Sequence, residues 1–169
     1  LASFNPETQT TARKQTGSFY TPREIVQYMV DESLIAHLKR TVSEDLEPQF
    51  RQLLQYADEP IDFTDEQRKA IMQSLYDCKI LDPACGSGAF PMGILYVLYH
   101  AIHHLHSHAE PHGNFNSTQT KRDIIQNNIF GVDIEQGAVD IARLRFWLAL
   151  VVDAEEPQPL PNLDYKITC

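Results

Sequence analysis

The 169 residues fit about one domain, and 43% apolar side chains are enough to build a real core. Fourteen basic against 23 acidic residues give a net charge of −9, the wrong sign for gripping DNA or an anionic membrane by charge alone, so any nucleic-acid contact must be local or supplied by other chain segments. Cys78, Cys85 and Cys169 form no CxxC pair and no apolar run nears the roughly 20 residues of a membrane span, which argues against a disulfide framework, a zinc site and a bilayer crossing and fits a cytoplasmic protein.

The polar, Thr/Gln-rich stretch 1–16 shows no periodicity and reads as a loose lead-in; starting on Leu1 without a signal-peptide pattern, it looks cut from something longer. Gly17-Ser-Phe-Tyr-Thr-Pro-Arg-Glu24 opens a helix: Thr21 suits the N-cap, Pro22 the first helical position and Glu24 the third, a capping box with a pre-set φ. Ile25, Val26, Met29, Val30, Leu34 and Leu38 then recur at helical spacing. The same helix start also presents free N–H groups and the positive end of a dipole, so it could hold a carboxylate or phosphate. Two more helices are expected at Ser43 to Tyr56 and Thr64 to Tyr76, the second with Thr64 and Gln67 at capping-box spacing.

The texture changes after residue 76. Cys78 to Asp82 is a short apolar run ending in an acid, Pro83-Ala-Cys-Gly-Ser-Gly88 is a turn, and a long apolar stretch reaches Leu98: strand, glycine turn, helix. Beyond the polar loop His108 to Ser117, a short helix at Arg122 to Asn127 leads to Ile129-Phe-Gly-Val-Asp133, a second strand ending in an acid. An apolar helix at Glu135 to Val152, a proline-stiffened connection at Glu155 to Pro161 and a third strand at Leu163 to Thr168 complete the pass. The alternation predicts an α/β fold: a Rossmann-like parallel sheet with crossover helices over 77–169, preceded by a helical segment over 1–76.

A lone GxG after a strand is weak evidence for any nucleotide. A dinucleotide fingerprint lacks its third small residue near Pro91, and a P-loop lacks Gly-Lys-Ser/Thr. Asp82 at the mouth of the turn would repel a pyrophosphate but attract a ligand carrying a sulfonium and an ammonium. Asp133, ending the next strand, stands where an acid accepts both hydroxyls of a ribose. The plainer readings are strand-to-turn punctuation for Asp82-Pro83 and a helix N-cap for Asp133.

Together, DPACGSGAF at 82–90, GSFYTP at 17–22 and GVDI at 131–134 resemble three consecutive motifs of adenine-specific, S-adenosylmethionine-dependent DNA methyltransferases, of the large restriction-modification type. The resemblance covers about residues 15–35 and 78–169. It implies a cofactor site made of Phe19, Tyr20, Thr21, Asp82, Pro83, Ala84, Cys85, Gly86, Ser87, Gly88, Asp133 and Ile134. Tyr20 and Thr21 would meet the methionine carboxylate, so that helix start and binding site are one piece of chain. Asp82 and the Ala84 to Gly88 backbone would face the methionine amino group and the ribose side. Asp133 would take the ribose hydroxyls and Ile134 would pack on the adenine.

The family's catalytic Asn/Asp-Pro-Pro-Tyr/Phe string, which holds a flipped base, does not occur here. The resemblance therefore implies the N-terminal, cofactor-binding part of such an enzyme, inactive alone, weak or blind toward DNA, and reaching double-stranded DNA through downstream segments. It also implies an incomplete sheet with an exposed or abnormally covered edge. The alternatives are a non-catalytic cofactor-binding module and an RNA or protein methyltransferase fragment. The histidines at 100, 103, 104, 106, 108 and 112 read as a solvated helix end rather than a metal cluster; Trp147 with Phe146, Leu148 and Leu150 read as core, and Arg143 and Arg145 as surface charges.

Overall fold

The computed structural model describes residues 4–5, 10–11, 21–55, 59–109, 113–152, 162–163 and 165–169. Its first feature departs from the expected loose lead-in: β1 (Phe4–Asn5) and β2 (Thr10–Thr11) pair antiparallel. Phe19 and Tyr20 lie outside the described residues.

Helix α1 (Arg23–Thr41) buries Val26, Val30, Leu34, Ile35 and Leu38 but leaves Ile25 and Met29 half exposed. Its start corrects the expected capping box. Pro22, at ψ 145°, supplies the carbonyl that accepts the first helical bond from Val26 N–H and so occupies the N-cap itself. A proline ring offers no acceptor, and the helix begins without a side-chain cap. The next predicted helix divides in two: Ser43 caps a 3-10 turn at Glu44–Leu46, and Pro48 sits in the first turn of α2 (Glu47–Leu54), where a missing N–H costs least. The Thr64 to Gln67 capping box forms as expected at the start of α3 (Asp65–Asp77), each partner bonding the other's backbone.

The sheet is parallel, in the order β3 (Ile80–Asp82), β4 (Ile129–Val132), β5 (Ile167–Thr168), with Asp82 opposite Gly131. The expected fold class is therefore observed. Between β3 and β4 run α4 (Ala89–Ala109) and α5 (Ser117–Asn127), and α6 (Gln136–Val151) joins β4 to β5. Helix α4 outruns its predicted apolar stretch and is buried on most sides, from Met92 and Leu95 to Ile102 and Leu105, because α1, α2, α3 and α5 all pack on it. Gly93 makes the α1 crossing possible: a Cβ there would lie 2.9 Å from Val26 Cγ1.

One polar link ties a helix end to the sheet and another ties two helices together. Asn128, fully buried, donates through Nδ2 to the carbonyls of Leu75, Tyr76 and Cys78, closing the end of α3 onto the strand β4. His37 and Thr41 from α1 reach the hydroxyl of Ser74 at 3.1 and 2.6 Å. Met29 meanwhile shares a groove with Asp82 and Pro83, so α1 runs back along β3 with its N-terminus toward the glycine turn. Among the described residues no helix is long and apolar enough to cross a membrane.

Candidate functional site: the glycine loop between two strand ends

The turn Pro83 to Gly88 is gripped at successive peptides. Ala84 N–H donates to Asp82 Oδ1 at 3.1 Å and Cys85 N–H to the Val132 carbonyl at 2.9 Å, carrying the sheet register into the loop. Gly86 N–H donates to Asp133 Oδ2 at 2.7 Å, and Gly88 N–H to the Cys85 carbonyl at 2.9 Å. Gly86 and Gly88 both have positive φ, 52° and 84°, where a glycine avoids the Cβ penalty. The space around them differs. A Cβ on Gly86 would meet nothing within 4 Å, whereas one on Gly88 would stand 3.1 Å from Ala142 Cβ. The loop is thus open at Gly86 and packed shut at Gly88.

The two acids reach the same loop in different states. Asp133 spends both carboxylate oxygens on backbone, Oδ2 on Gly86 and Oδ1 on Glu135 N–H at 3.0 Å. The second bond is a turn that starts two residues ahead of Glu135, the N-cap of α6, so the N-cap reading of Asp133 is overturned. Asp82 is half-buried, and its Oδ2 has no water exposure and no hydrogen-bond partner. Burial raises the Asp82 carboxyl above the usual carboxylate range; the Ala84 bond opposes this and the Asp133 charge adds to it. The same burial, with both acids nearby, pushes the Cys85 thiol up to about 11, so Cys85 is a buried, protonated spacer behind the loop. Its Cβ and Sγ would touch any Cβ on Gly131 at 3.1 Å, which is why β4 carries glycine there.

Of the remaining expected residues, Pro83, Ala84 and Ser87 are exposed along the loop, and Ile134, at 89% relative exposure, offers a bare apolar side chain beside Asp133. Thr21 is half-buried just ahead of α1. A cleft of about 460 Å³ lies beside the loop rather than over it, between α1 and β3, and shares only Asp82 and Pro83 with the expected set.

The sequence of the loop and its two acids now has independent company. The profile of the MmeI DNA-methyltransferase domain matches residues 59–156. The chain belongs to that family. It is 31% identical over 179 residues to a putative type II restriction enzyme and methyltransferase of Methanocaldococcus jannaschii, covering 93% of this chain and 14% of that protein. It is also 31% identical over 129 residues to the adenine-specific methyltransferase BrxX of Escherichia coli, covering 73% of this chain and 10% of that one. The chain therefore spans a small part of the length of these relatives.

The α6 arginines, expected as surface charges, also hold backbone, Arg143 from a half-buried and Arg145 from an exposed position. Arg143 donates through Nε and Nη2 to the Ile167 carbonyl at 2.9 and 2.7 Å, holding β5, and Arg145 Nη1 donates to the Ser87 carbonyl at 3.0 Å. The one available signal was Ala142, a small residue one turn before Arg145 and facing Gly88. The core expectation for 146–150 also needs correction: Phe146 and Leu150 are buried, but Leu148 is half exposed, on a stripe with Ile141 and Leu144. In the histidine stretch, His104 stacks on His108 at 4.2 Å and bonds the Glu59 carbonyl, while His103 and His106 meet Phe115 edge-on.

Proposed function

We propose that this chain is the S-adenosylmethionine-holding part of an adenine-specific DNA methyltransferase of restriction-modification type, acting in the cytoplasm on double-stranded DNA. The observation that carries the reading is the pair of strand-end acids on one glycine loop, with one carboxylate oxygen, Asp82 Oδ2, buried and unpartnered. A buried acceptor without a donor is costly unless a ligand completes it.

The residues present fit this cofactor. The unspent Asp82 oxygen suits its positive groups, and each Asp133 oxygen, having accepted one bond, retains a lone pair for a ribose hydroxyl. The open space at Gly86 admits close backbone approach, and exposed Ile134 offers an apolar face for a purine. The N–H groups of Arg23 and Glu24, which have no partner among the described residues, lie at the α1 start that Thr21 precedes and suit a carboxylate. When bound, the cofactor supplies a methyl group on a sulfonium; the residues of this chain bind it, orient it and set its local charge. The group that accepts hydrogen bonds from the target adenine is assigned to a downstream strand beside β3, whose other edge has no partner strand among the described residues.

Calorimetry with S-adenosylmethionine tests the reading: wild-type protein binds, and equal affinity of Asp133→Ala and wild type would overturn it. Methyl transfer tests the division of labour. Residues 1–169 alone should transfer no labelled methyl group to DNA, while a chain extended through the next strands should; comparable rates from both would refute the division. The acidic fragment should likewise give no salt-sensitive gel shift with duplex DNA at micromolar concentration.

A further inference from the structure

Three consecutive residues of the loop are each held by the segment that leaves β4. Asp133 takes the Gly86 N–H, Ala142 packs on Gly88, and Arg145, one turn further along α6, takes the Ser87 carbonyl. The peptide joining Ser87 to Gly88 is therefore fixed at both ends, its carbonyl by Arg145 and its N–H by Cys85. The neighbouring peptide, from Gly86 to Ser87, is the one left over. The Ser87 N–H has no partner among the described residues, and it lies beside the open space at Gly86.

The Ser87–Gly88 peptide borders a glycine at positive φ, which has no Cβ to clash, so on that side it can rotate at low steric cost. Such a flip would swing the Ser87 carbonyl toward the ligand space and spoil the loop for a ligand that needs a donor there. Loss of the Arg145 bond leaves only the Gly88 N–H bond to the Cys85 carbonyl to oppose rotation of the peptide that carries the Ser87 carbonyl.

We propose that Arg145 is a positioning residue for the loop: by holding the Ser87 carbonyl against α6 it keeps the adjacent Ser87 N–H available to an acceptor oxygen of the bound cofactor. This rests on the S-adenosylmethionine reading above. The contact runs through one nitrogen to one oxygen, so a lysine ammonium can replace it, whereas an apolar side chain of similar length cannot.

The test compares full-length wild type, Arg145→Met and Arg145→Lys by calorimetry with S-adenosylmethionine, thermal melting, and amide hydrogen exchange across residues 83–88 without ligand. The expected result is a roughly fivefold weaker dissociation constant for Arg145→Met, the worth of about one hydrogen bond, with an unchanged melting temperature, faster exchange in the loop, and recovery of most of the affinity in Arg145→Lys. Unchanged affinity and exchange in Arg145→Met would overturn the proposal. So would an affinity loss that tracks a fall in melting temperature and is not recovered by lysine, since that marks a structural contact only. If wild type itself does not bind while Arg145→Met still loosens the loop, the cofactor reading fails and the clamp stands as loop architecture without the assigned ligand role.

Discussion

The ends of β3 and β4 are written in the same way, an apolar run closing on an aspartate, yet they finish differently. Asp133 accepts a backbone N–H on each of its two oxygens and builds the loop; Asp82 contributes one oxygen to the loop and keeps the other buried and unspent. The difference separates two jobs that sequence alone merges. An acid that satisfies backbone shapes a site, and an acid left short of a donor is where a ligand finds something to gain.

The sharpest way to break this comparison is to remove the shaping acid. Asp133→Ala should lower both cofactor affinity and melting temperature, because each lost charge-assisted bond is worth about 1.5–3 kcal/mol. Calorimetry and melting on the same samples check it, and an affinity loss without any thermal cost would deny Asp133 its structural half. The acid with one unpartnered oxygen should behave in the opposite way. Asp82→Asn keeps an acceptor for Ala84 N–H and removes the ionised oxygen that lacks a partner, so it should raise the melting temperature at neutral pH while weakening the cofactor. The sign follows from the carboxyl being held above its ordinary range. A group with a raised folded-state pKa contributes fully below the unfolded value and loses that contribution as pH rises through the folded one. The gap in favour of asparagine should therefore widen as pH rises from the ordinary carboxylate range through the raised one, which melting curves from acid to neutral pH would show.

The two loop glycines sharpen the same contrast at smaller scale. Gly88→Ala should cost about 1–3 kcal/mol, a left-handed backbone plus an overlap with Ala142 at 3.1 Å. Gly86→Ala should cost only the backbone part, about 1 kcal/mol, yet reduce cofactor affinity more, since its methyl would enter open space on the ligand side. Reversal of either order in paired melting and binding measurements would place the ligand elsewhere. The smallest effect concerns the thiols. With Cys85 buried and pushed up to about 11, and the Cys78 thiol likewise raised by burial, alkylation near pH 8 should mark exposed Cys169 first and leave cofactor binding unchanged, as peptide mass analysis would reveal.

Much of this was legible locally. The Thr64 to Gln67 box, the strand-turn-helix at 80–109 and the parallel sheet announce themselves through spacing, because caps and apolar runs are decided by near neighbours. Pro22 shows where local spacing fails: a shift of one residue moved the cap to a side chain that cannot perform it, and left the helix start uncapped by any side chain. Arg145 and Gly93 were invisible for another reason. An arginine on an exposed face looks alike whether it points to water or to a carbonyl 58 positions away, and a glycine inside a helix does not say which helix crosses it. Burial misled in the same manner at Leu148, where apolar character did not imply cover.

The buried amide of Asn128 gives the molecule a mechanical property as well as a seam. One side chain holds three carbonyls around the end of α3, the nearest of them 50 residues earlier in the chain. Fraying of α3 from that end would strand a fully buried donor group with nothing to bind. The end of the helix and the start of β4 are thereby joined through one buried side chain, so that opening either exposes the polar groups of the other.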